Sequence, residues 1–284
     1  MKAIKNLVNS NWFRYLCITI LAAGITILVV HFIVPSAKPV LNAGKAKAAG
    51  ASKMDMKLVA IGDSLTEGVG DDTNKGGYVP LLASGLDDVC HFRSIESFNY
   101  GKSGNRTTQV TARIQESKEI QEGIKKADAI VITIGANDLL KVAKDNIFKS
   151  LSVETFSKPR EEYIANIKTM YQEIRKYNPN CPIYQLGIYN PFYYNFKEVT
   201  ELQSIIDLWN QTTLEFVGQE KNAHFVPIND LIYQGNGDEK QSLDVNNLLS
   251  EEDSFHPNHT GYQIIANTFR DEMLKTQKLW IRRK

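Results

Sequence analysis

The chain of 284 residues is long enough for one large domain or two small ones, and its hydrophobic content of 43% is ordinary for a folded core. Because 33 Lys and Arg residues are balanced by 32 Asp and Glu residues, the formal net charge is only +1. This balance gives no global positive field to hold a polyanion and argues against a nucleic-acid partner.

The N-terminal region carries a membrane signature. Residues 15–34 are almost wholly apolar and are long enough for a helix that spans a bilayer. Lys2, Lys5 and Arg14 precede this stretch, so the positive-inside tendency places residues 1–14 in the cytoplasm, although lysines after the stretch weaken that orientation. We expect one uncleaved transmembrane helix in the cell membrane with an extracytoplasmic domain. Secretion after cleavage of a signal peptide remains the alternative, although such peptides have a shorter apolar region, about 7–15 residues.

The segment after the apolar stretch has a different composition. Residues 35–53 are rich in Ala, Lys, Gly and Ser and show no apolar period, which is typical of a tether. We therefore assign residues 35–55 to a juxtamembrane linker and residues 56–284 to the folded domain. Three cysteines, Cys17, Cys90 and Cys181, show neither zinc-site spacing nor the density of a disulfide scaffold, and the sequence leaves open whether the last two pair.

Within the domain, short apolar runs alternate with amphipathic stretches. This alternation predicts an α/β fold in which helices wrap a parallel five-stranded sheet. Ligands bind beyond the carboxyl ends of the strands in open sheets of this kind, so the residues after each strand are the candidates for a site. The predicted strands are residues 57–61, 97–99 (weaker), 129–134, 183–186 and 224–226, and the predicted helices are 78–86, 107–127, 160–177, 197–217 and 261–274.

The first strand is followed by the segment Gly-Asp-Ser-Leu-Thr. Gly62 permits a tight exit from the strand, and Ser64 would then face the crevice. A serine in that position is a candidate nucleophile. The alternative is that Ser64 caps a helix, which serine does routinely.

Two further loops offer hydrogen-bond donors at the same edge of the sheet. Residues 99–107 contain Gly101 and Gly104, whose small size brings backbone N–H groups close to a ligand, or which simply form a turn. The segment Gly-Ala-Asn-Asp after the third strand places the Asn137 amide toward the crevice, or at a helix cap.

A fourth segment lies just before the last predicted helix. Asp253 precedes His256 by three residues, so its carboxylate can reach the imidazole within one turn. A carboxylate there fixes the tautomer and leaves the far ring nitrogen free to act as a base. His256 is therefore the candidate general base, with Asp253 as the residue that orients it.

These four segments, in this order and spacing, resemble the SGNH hydrolase family, also called GDSL esterases and lipases. The resemblance implies a flavodoxin-like three-layer α/β/α fold and, with the N-terminal helix, a membrane-anchored bacterial member. It implies ester hydrolysis through an acyl-enzyme on Ser64, with His256 as base and Asp253 as its partner. The backbone N–H groups of Ser64 and Gly104 and the Asn137 side chain would form the oxyanion hole. Neither a cofactor nor a metal is required.

Other classes fit the sequence less well. The glycine spacings of phosphate-binding and dinucleotide-binding loops are incomplete, and the Gly-x-Ser-x-Gly elbow of α/β-hydrolases is absent. A metal held by Asp253, His256 and His259 would lack a further ligand nearby in sequence. An acyltransferase, an O-acetyl esterase acting on cell-wall glycan, and a non-catalytic surface binding module remain open. The expected partner is a small-molecule or lipid ester.

An aromatic segment, residues 189–196, follows the fourth predicted strand. Its position at the carboxyl end of that strand places it beside Ser64, where Tyr189, Phe192 and Tyr193 would form a wall of the substrate pocket. The alternative is that these rings simply cover the core.

Overall fold

The computed structural model describes residues 54–146, 152–195, 199–235 and 246–281. Within these ranges, no helix is both long enough and apolar enough to cross a membrane. The predicted transmembrane helix at residues 15–34 and nearly all of the predicted linker lie outside the described residues.

A five-stranded parallel sheet forms the centre of the domain, as the sequence predicts. The strands lie in the order β2-β1-β3-β4-β5. Strands β3 and β4 are completely buried, because helices cover both faces of the sheet, and this explains their continuous apolar runs. The strands are β1 Asp55–Gly62, β2 Ser94–Gly101, β3 Ala129–Thr133, β4 Ile183–Leu186 and β5 Ala223–Val226.

The helices lie on both faces of this sheet. The described ranges contain α1 Ser64–Glu67, α2 Tyr78–Cys90, α3 Thr107–Glu116, α4 Lys118–Lys126, α5 Ala136–Asp145, α6 Val153–Tyr177, α7 Thr200–Gln219, α8 Asn229–Ile232 and α9 His259–Lys275, followed by a 3₁₀ turn, Gln277–Leu279.

Alternate side chains of the strands enter two separate cores. Leu58 of β1 packs in the core with α2 and α9, whereas its neighbour Val59 packs in the core with α3, α4, α6 and α7. The predicted three-layer α/β/α architecture is thereby confirmed. Cys90 contacts the first core and Cys181 belongs to the second, so the sheet separates them and they do not pair with each other.

Several element boundaries differ from the sequence prediction for identifiable reasons. Strand β2 is longer than the predicted residues 97–99; it is an edge strand with mostly exposed side chains, so it lacks an apolar run. The predicted helix 107–127 is divided at Ser117, whose hydroxyl accepts the Ile120 N–H and caps α4. Helix α6 begins at Val153 rather than 160, and the Ser152 side chain caps it by accepting the Thr155 N–H. Pro159 lies in its second turn, where a proline usually indicates that a helix has not yet begun.

Candidate active site

Ser64 is presented by a tight turn at the end of β1. Gly62 is the last residue of the strand, and Asp63 caps α1 by accepting the Leu65 N–H at 3.1 Å. Ser64 is therefore the first residue of α1 and not its cap. A Cβ atom at position 62 would lie 2.3 Å from the Thr133 carbonyl oxygen of β3, so only glycine allows this approach.

The structure brings Ser64, His256 and Asp253 together. Ser64 Oγ lies 2.8 Å from His256 Nε2, although the two residues are 192 positions apart in the chain. The other ring nitrogen, Nδ1, lies 2.6 Å from Asp253 Oδ2. These distances form one hydrogen-bonded relay from carboxylate to imidazole to hydroxyl.

Asp253 holds both the imidazole and the loop that carries it. Its Oδ1 accepts the backbone N–H groups of Phe255 at 2.9 Å and His256 at 3.0 Å, while Oδ2 faces the ring. Burial raises the pKa of Asp253, but these hydrogen bonds, led by the one from the His256 ring, outweigh burial and hold the pKa below its ordinary value. An ionised Asp253 only accepts, so Nδ1 carries the hydrogen and the Nε2 lone pair faces the serine hydroxyl.

Potential oxyanion donors lie next to Ser64. Gly104 adopts a left-handed conformation (φ +75°) and is exposed. In the part of the chain that the structure describes, neither its N–H nor that of Ser64 has a hydrogen-bond acceptor. Asn137 donates one amide hydrogen to the Asn105 carbonyl oxygen at 3.0 Å, which leaves its second hydrogen for a ligand.

Two carboxylates hold the loop that carries Gly104. Glu67 Oε2 accepts the Ser103 N–H at 2.6 Å, and Asp138 Oδ2 accepts both the N–H and the hydroxyl of Thr107 at 3.0 Å. Sequence reasoning missed both residues. The sequence does place an acidic residue close to each motif residue: Glu67 comes three positions after Ser64, and Asp138 comes directly after Asn137.

A buried polar network adjoins the turn that presents Ser64. Thr133 donates its hydroxyl to Asp63 Oδ1 at 3.0 Å, so Thr66 donates to Thr133 and Tyr78 donates to Thr66, at 2.7 and 2.9 Å. Burial raises the pKa of Asp63 to about 7, against the opposing effect of its hydrogen bonds. Asp63 was part of the recognised motif, but its environment depends on residues from β3 and α2.

An apolar cavity opens beside Ser64. Tyr189 and Phe192 lie on its wall, as the sequence predicts, but Tyr193 does not; its ring packs edge-on against Tyr194 and Tyr233 instead. Helices α5 and α7 supply much of the wall, which the sequence did not indicate. The apolar lining consists of Leu65, Ile134, Ala136, Leu139, Leu140, Ile188, Tyr189, Pro191, Phe192, Leu202, Ile206 and Phe255.

His259 does not join the site. Its Nδ1 lies 3.3 Å from Asp71 Oδ1 and 3.3 Å from the Thr73 hydroxyl oxygen. Among the described residues, no group of three His, Cys, Asp or Glu side chains is arranged to hold a metal ion.

Comparison with known proteins gives one family match. Residues 60–264 match the model of the GDSL-like lipase/acylhydrolase family. The chain is 35% identical over 215 residues to the uncharacterized protein YpmR of Bacillus subtilis (strain 168), covering 76% of this chain and 80% of YpmR. It is 26% identical over 230 residues to the spore germination lipase LipC of Bacillus licheniformis, covering 76% of this chain and 96% of LipC. The lipase Lip_vut3 from a goat rumen metagenome has the same fold, with a TM-score of 0.63, 24% identity, and coverage of 76% and 97% of the two chains.

Gly62→Ala should destabilise the domain and lower esterase activity, because the added methyl group overlaps the Thr133 carbonyl. Such overpacking typically costs about 1–3 kcal/mol. Urea unfolding and ester hydrolysis should be measured together. Gly218→Ala is the matched control, since a Cβ there meets nothing within 4 Å. Equal unfolding midpoints for the two variants would show that the close approach of Gly62 to Thr133 does not require glycine at position 62.

Asp63→Asn should flatten the dependence of stability on pH. Between the ordinary carboxyl pKa near 4 and about 7, the folded protein keeps a proton on Asp63 that the unfolded chain releases. This contribution to stability is therefore complete below pH 4 and is lost as the pH rises through 7. Melting temperatures from pH 4 to pH 8 should decline less for Asp63→Asn than for wild type or for the exposed control Asp88→Asn. Parallel curves for all three proteins would contradict the assignment.

Proposed function

Because the chain belongs to the GDSL-like lipase/acylhydrolase family, we propose that it hydrolyses carboxylic esters through an acyl-enzyme on Ser64. Membership confirms the resemblance seen in the motifs and makes the protein an esterase or lipase at the level of the family. The relay from Asp253 through His256 to Ser64 is the observation that carries the assignment of residues.

The chemistry follows from this relay. Ser64 Oγ attacks the acyl carbon while His256 Nε2 accepts its proton, and the carbonyl oxygen takes up the negative charge. The N–H groups of Ser64 and Gly104 and the Asn137 amide are the donors for that oxygen. Collapse expels the alcohol, which takes the proton from His256. Water then repeats both steps on the acyl-enzyme, releases the acid and restores Ser64.

The parts of the site stabilise the transition state in different ways. The ionised Asp253 stabilises the imidazolium that forms when His256 accepts the proton, so the pair is favoured in the transition state. Removing one oxyanion donor typically costs ~3 kcal/mol, about a hundredfold in rate. Glu67 and Asp138 hold the loop that carries Gly104, so their hydrogen bonds to that loop are part of the requirement for turnover.

We further propose that the domain acts at the outer face of the cell membrane. The support is the sequence alone: the apolar residues 15–34 follow Lys2, Lys5 and Arg14. Anchoring there would present the cavity beside Ser64 to esters at the membrane surface.

Ser64→Ala and His256→Ala should each abolish most hydrolysis of a chromogenic ester, and the double variant should lose little more than either alone. The three side chains act as one unit, so removing a second member removes nothing further. Release of free acid without an added acceptor should be measured, which also separates hydrolysis from acyl transfer. Ser84→Ala, an exposed serine on α2, is the control. A folded Ser64→Ala with near wild-type activity would place the nucleophile elsewhere.

Protease added to intact protoplasts should digest the domain at residues 56–284, because an uncleaved anchor leaves it outside the membrane. Immunoblotting against the domain, with a cytoplasmic protein as control, measures this. Protection until the membrane is lysed would overturn the topology. A soluble form in the medium that begins between residues 36 and 52 would instead identify a cleaved signal peptide.

A further inference from the structure

The loop between β2 and α3 carries one oxyanion donor and anchors another. Gly104 lies in this loop, and the next residue, Asn105, is buried and accepts the Asn137 amide on its backbone oxygen. A Cβ atom added at Gly104 would meet nothing within 4 Å, so little packing surrounds the loop at that point. Hydrogen bonds must therefore fix the directions of both donors.

Arg113, in the last turn of α3, donates to this loop at two points. Its Nη1 atom lies 3.1 Å from the Tyr100 carbonyl oxygen of β2 and 3.4 Å from Asn105 Oδ1. Helix α3 begins at Thr107, six residues before Arg113, which is about 9 Å along the helix axis. Because side chains in a helix lean toward its N-terminus, the long side chain at position 113 extends back to the loop.

The hydrogen bonds from Arg113 are charge-assisted. Arg113 is half-buried, and burial lowers its pKa while the nearby Glu67 carboxylate acts in the opposite direction. An arginine side chain stays protonated in proteins, so its bonds to Tyr100 and Asn105 are stronger than those of a neutral donor. Glu67 also accepts the Ser103 N–H. One cation and one carboxylate that attract each other thus hold neighbouring parts of the same loop.

Asn105 connects Arg113 to the oxyanion donors. Its side-chain oxygen accepts from Arg113, and its backbone oxygen accepts from Asn137. Its N–H donates to the Lys102 carbonyl oxygen at 3.2 Å, which closes a turn with Gly104 in the third position, where the left-handed conformation is required. A rotation of Asn105 would therefore move both the Asn137 amide and the turn that contains Gly104.

We propose that Arg113 is a positioning residue for the reaction, and that it sets the directions of the Asn137 amide and the Gly104 N–H through Asn105. Its acceptors belong to the loop and not to the relay of Ser64, so it acts through other groups. This role rests on the ester hydrolysis proposed above. A donor aimed at the oxyanion acts on the transition state, so misdirecting it lowers kcat and leaves KM nearly unchanged.

Arg113→Gln should lower kcat for a chromogenic ester about ten- to hundredfold, because loss of a whole oxyanion donor costs about a hundredfold. KM should change less than about twofold. Arg113→Lys keeps a cationic donor and should restore much of kcat. Active sites are counted by fluorophosphonate labelling of Ser64, and assays are run below the melting temperature of each variant. Arg270→Gln is the matched control, since Arg270 is also half-buried but donates to Asn267 and Asp271 of its own helix.

A double-mutant cycle tests the route through Asn105. In the Asn137→Ala background the amide is already absent, so Arg113→Gln should lower kcat at least about threefold less than it does in the wild type. Equal effects in the two backgrounds would show that Arg113 does not act on Asn137 and would overturn the proposal. If Arg113→Gln does not fold, Asn105→Ala removes the other end of the same hydrogen bond, and it should give the same fall in kcat at constant KM.

A cavity of about 270 Å³ adjoins Arg113 and allows a chemical rescue. Tyr100, Glu116 and Glu119 line it together with Arg113, and the two carboxylates favour a cation. In Arg113→Ala, guanidinium chloride far below denaturing concentrations should raise kcat, because the ion replaces the missing group. No gain over an equal concentration of sodium chloride would contradict a role for the guanidinium group.

The outcomes separate this inference from the function on which it rests. If the wild type hydrolyses no ester, the proposed function fails. If the wild type is active, Ser64→Ala is inactive and a folded Arg113→Gln keeps the wild-type kcat, ester hydrolysis stands and the positioning role is overturned. A loss confined to the melting temperature, or a rise in KM at constant kcat, would also overturn it.

Discussion

The close approach of β1 to β3 at Gly62 is the contact on which the rest of the site depends. With no side chain at that position, the backbone turns directly off the strand, and Asp63 caps α1 while still accepting the Thr133 hydroxyl from the neighbouring strand. Ser64 is thereby fixed to two strands through its preceding residue. Ser64 is held by the sheet, and the loops at its edge carry His256, Asp253 and Gly104.

Carboxylates do most of the positioning in this site, each by accepting backbone N–H groups. Glu67 holds Ser103, Asp138 holds Thr107, and Asp253 holds Phe255 and His256. Charge-assisted hydrogen bonds of this kind are stronger than neutral ones. They hold loops that have few apolar contacts of their own. The loop that carries Gly104 and the loop that carries His256 thus acquire defined positions around one serine.

The positions of Ser64 and Asn137 could be predicted because each follows a strand whose run is apolar and mostly buried. The loop that carries Gly104 follows the edge strand β2, which has no such run. Asp253 and His256 were chosen as a candidate pair from local spacing, because they share one turn, and their side chains are hydrogen-bonded in the structure. Only part of the cavity wall could be predicted from the sequence. Tyr189 and Phe192 follow β4 directly, whereas Leu202 and Ile206 reach the cavity from a helix whose rotation is set by packing against α6 and the sheet. Tyr193 was misplaced because neighbouring residues in an irregular segment point in different directions, and period-based reasoning does not apply there.

The hydroxyl of Tyr189 connects the cavity wall to the loop that carries His256, since it donates to the Phe255 carbonyl oxygen at 2.7 Å. Phe255 adjoins His256, so a replacement at position 189 alters the shape of the cavity and the seating of the imidazole at once. Leu202 also lines the cavity, but it forms no hydrogen bond to the loop that carries His256. In an evolving lineage, substitutions at Tyr189 are therefore constrained by both effects, whereas no hydrogen bond of this kind constrains Leu202. A substitution at Leu202 therefore changes the shape of the cavity without changing the position of the His256 imidazole.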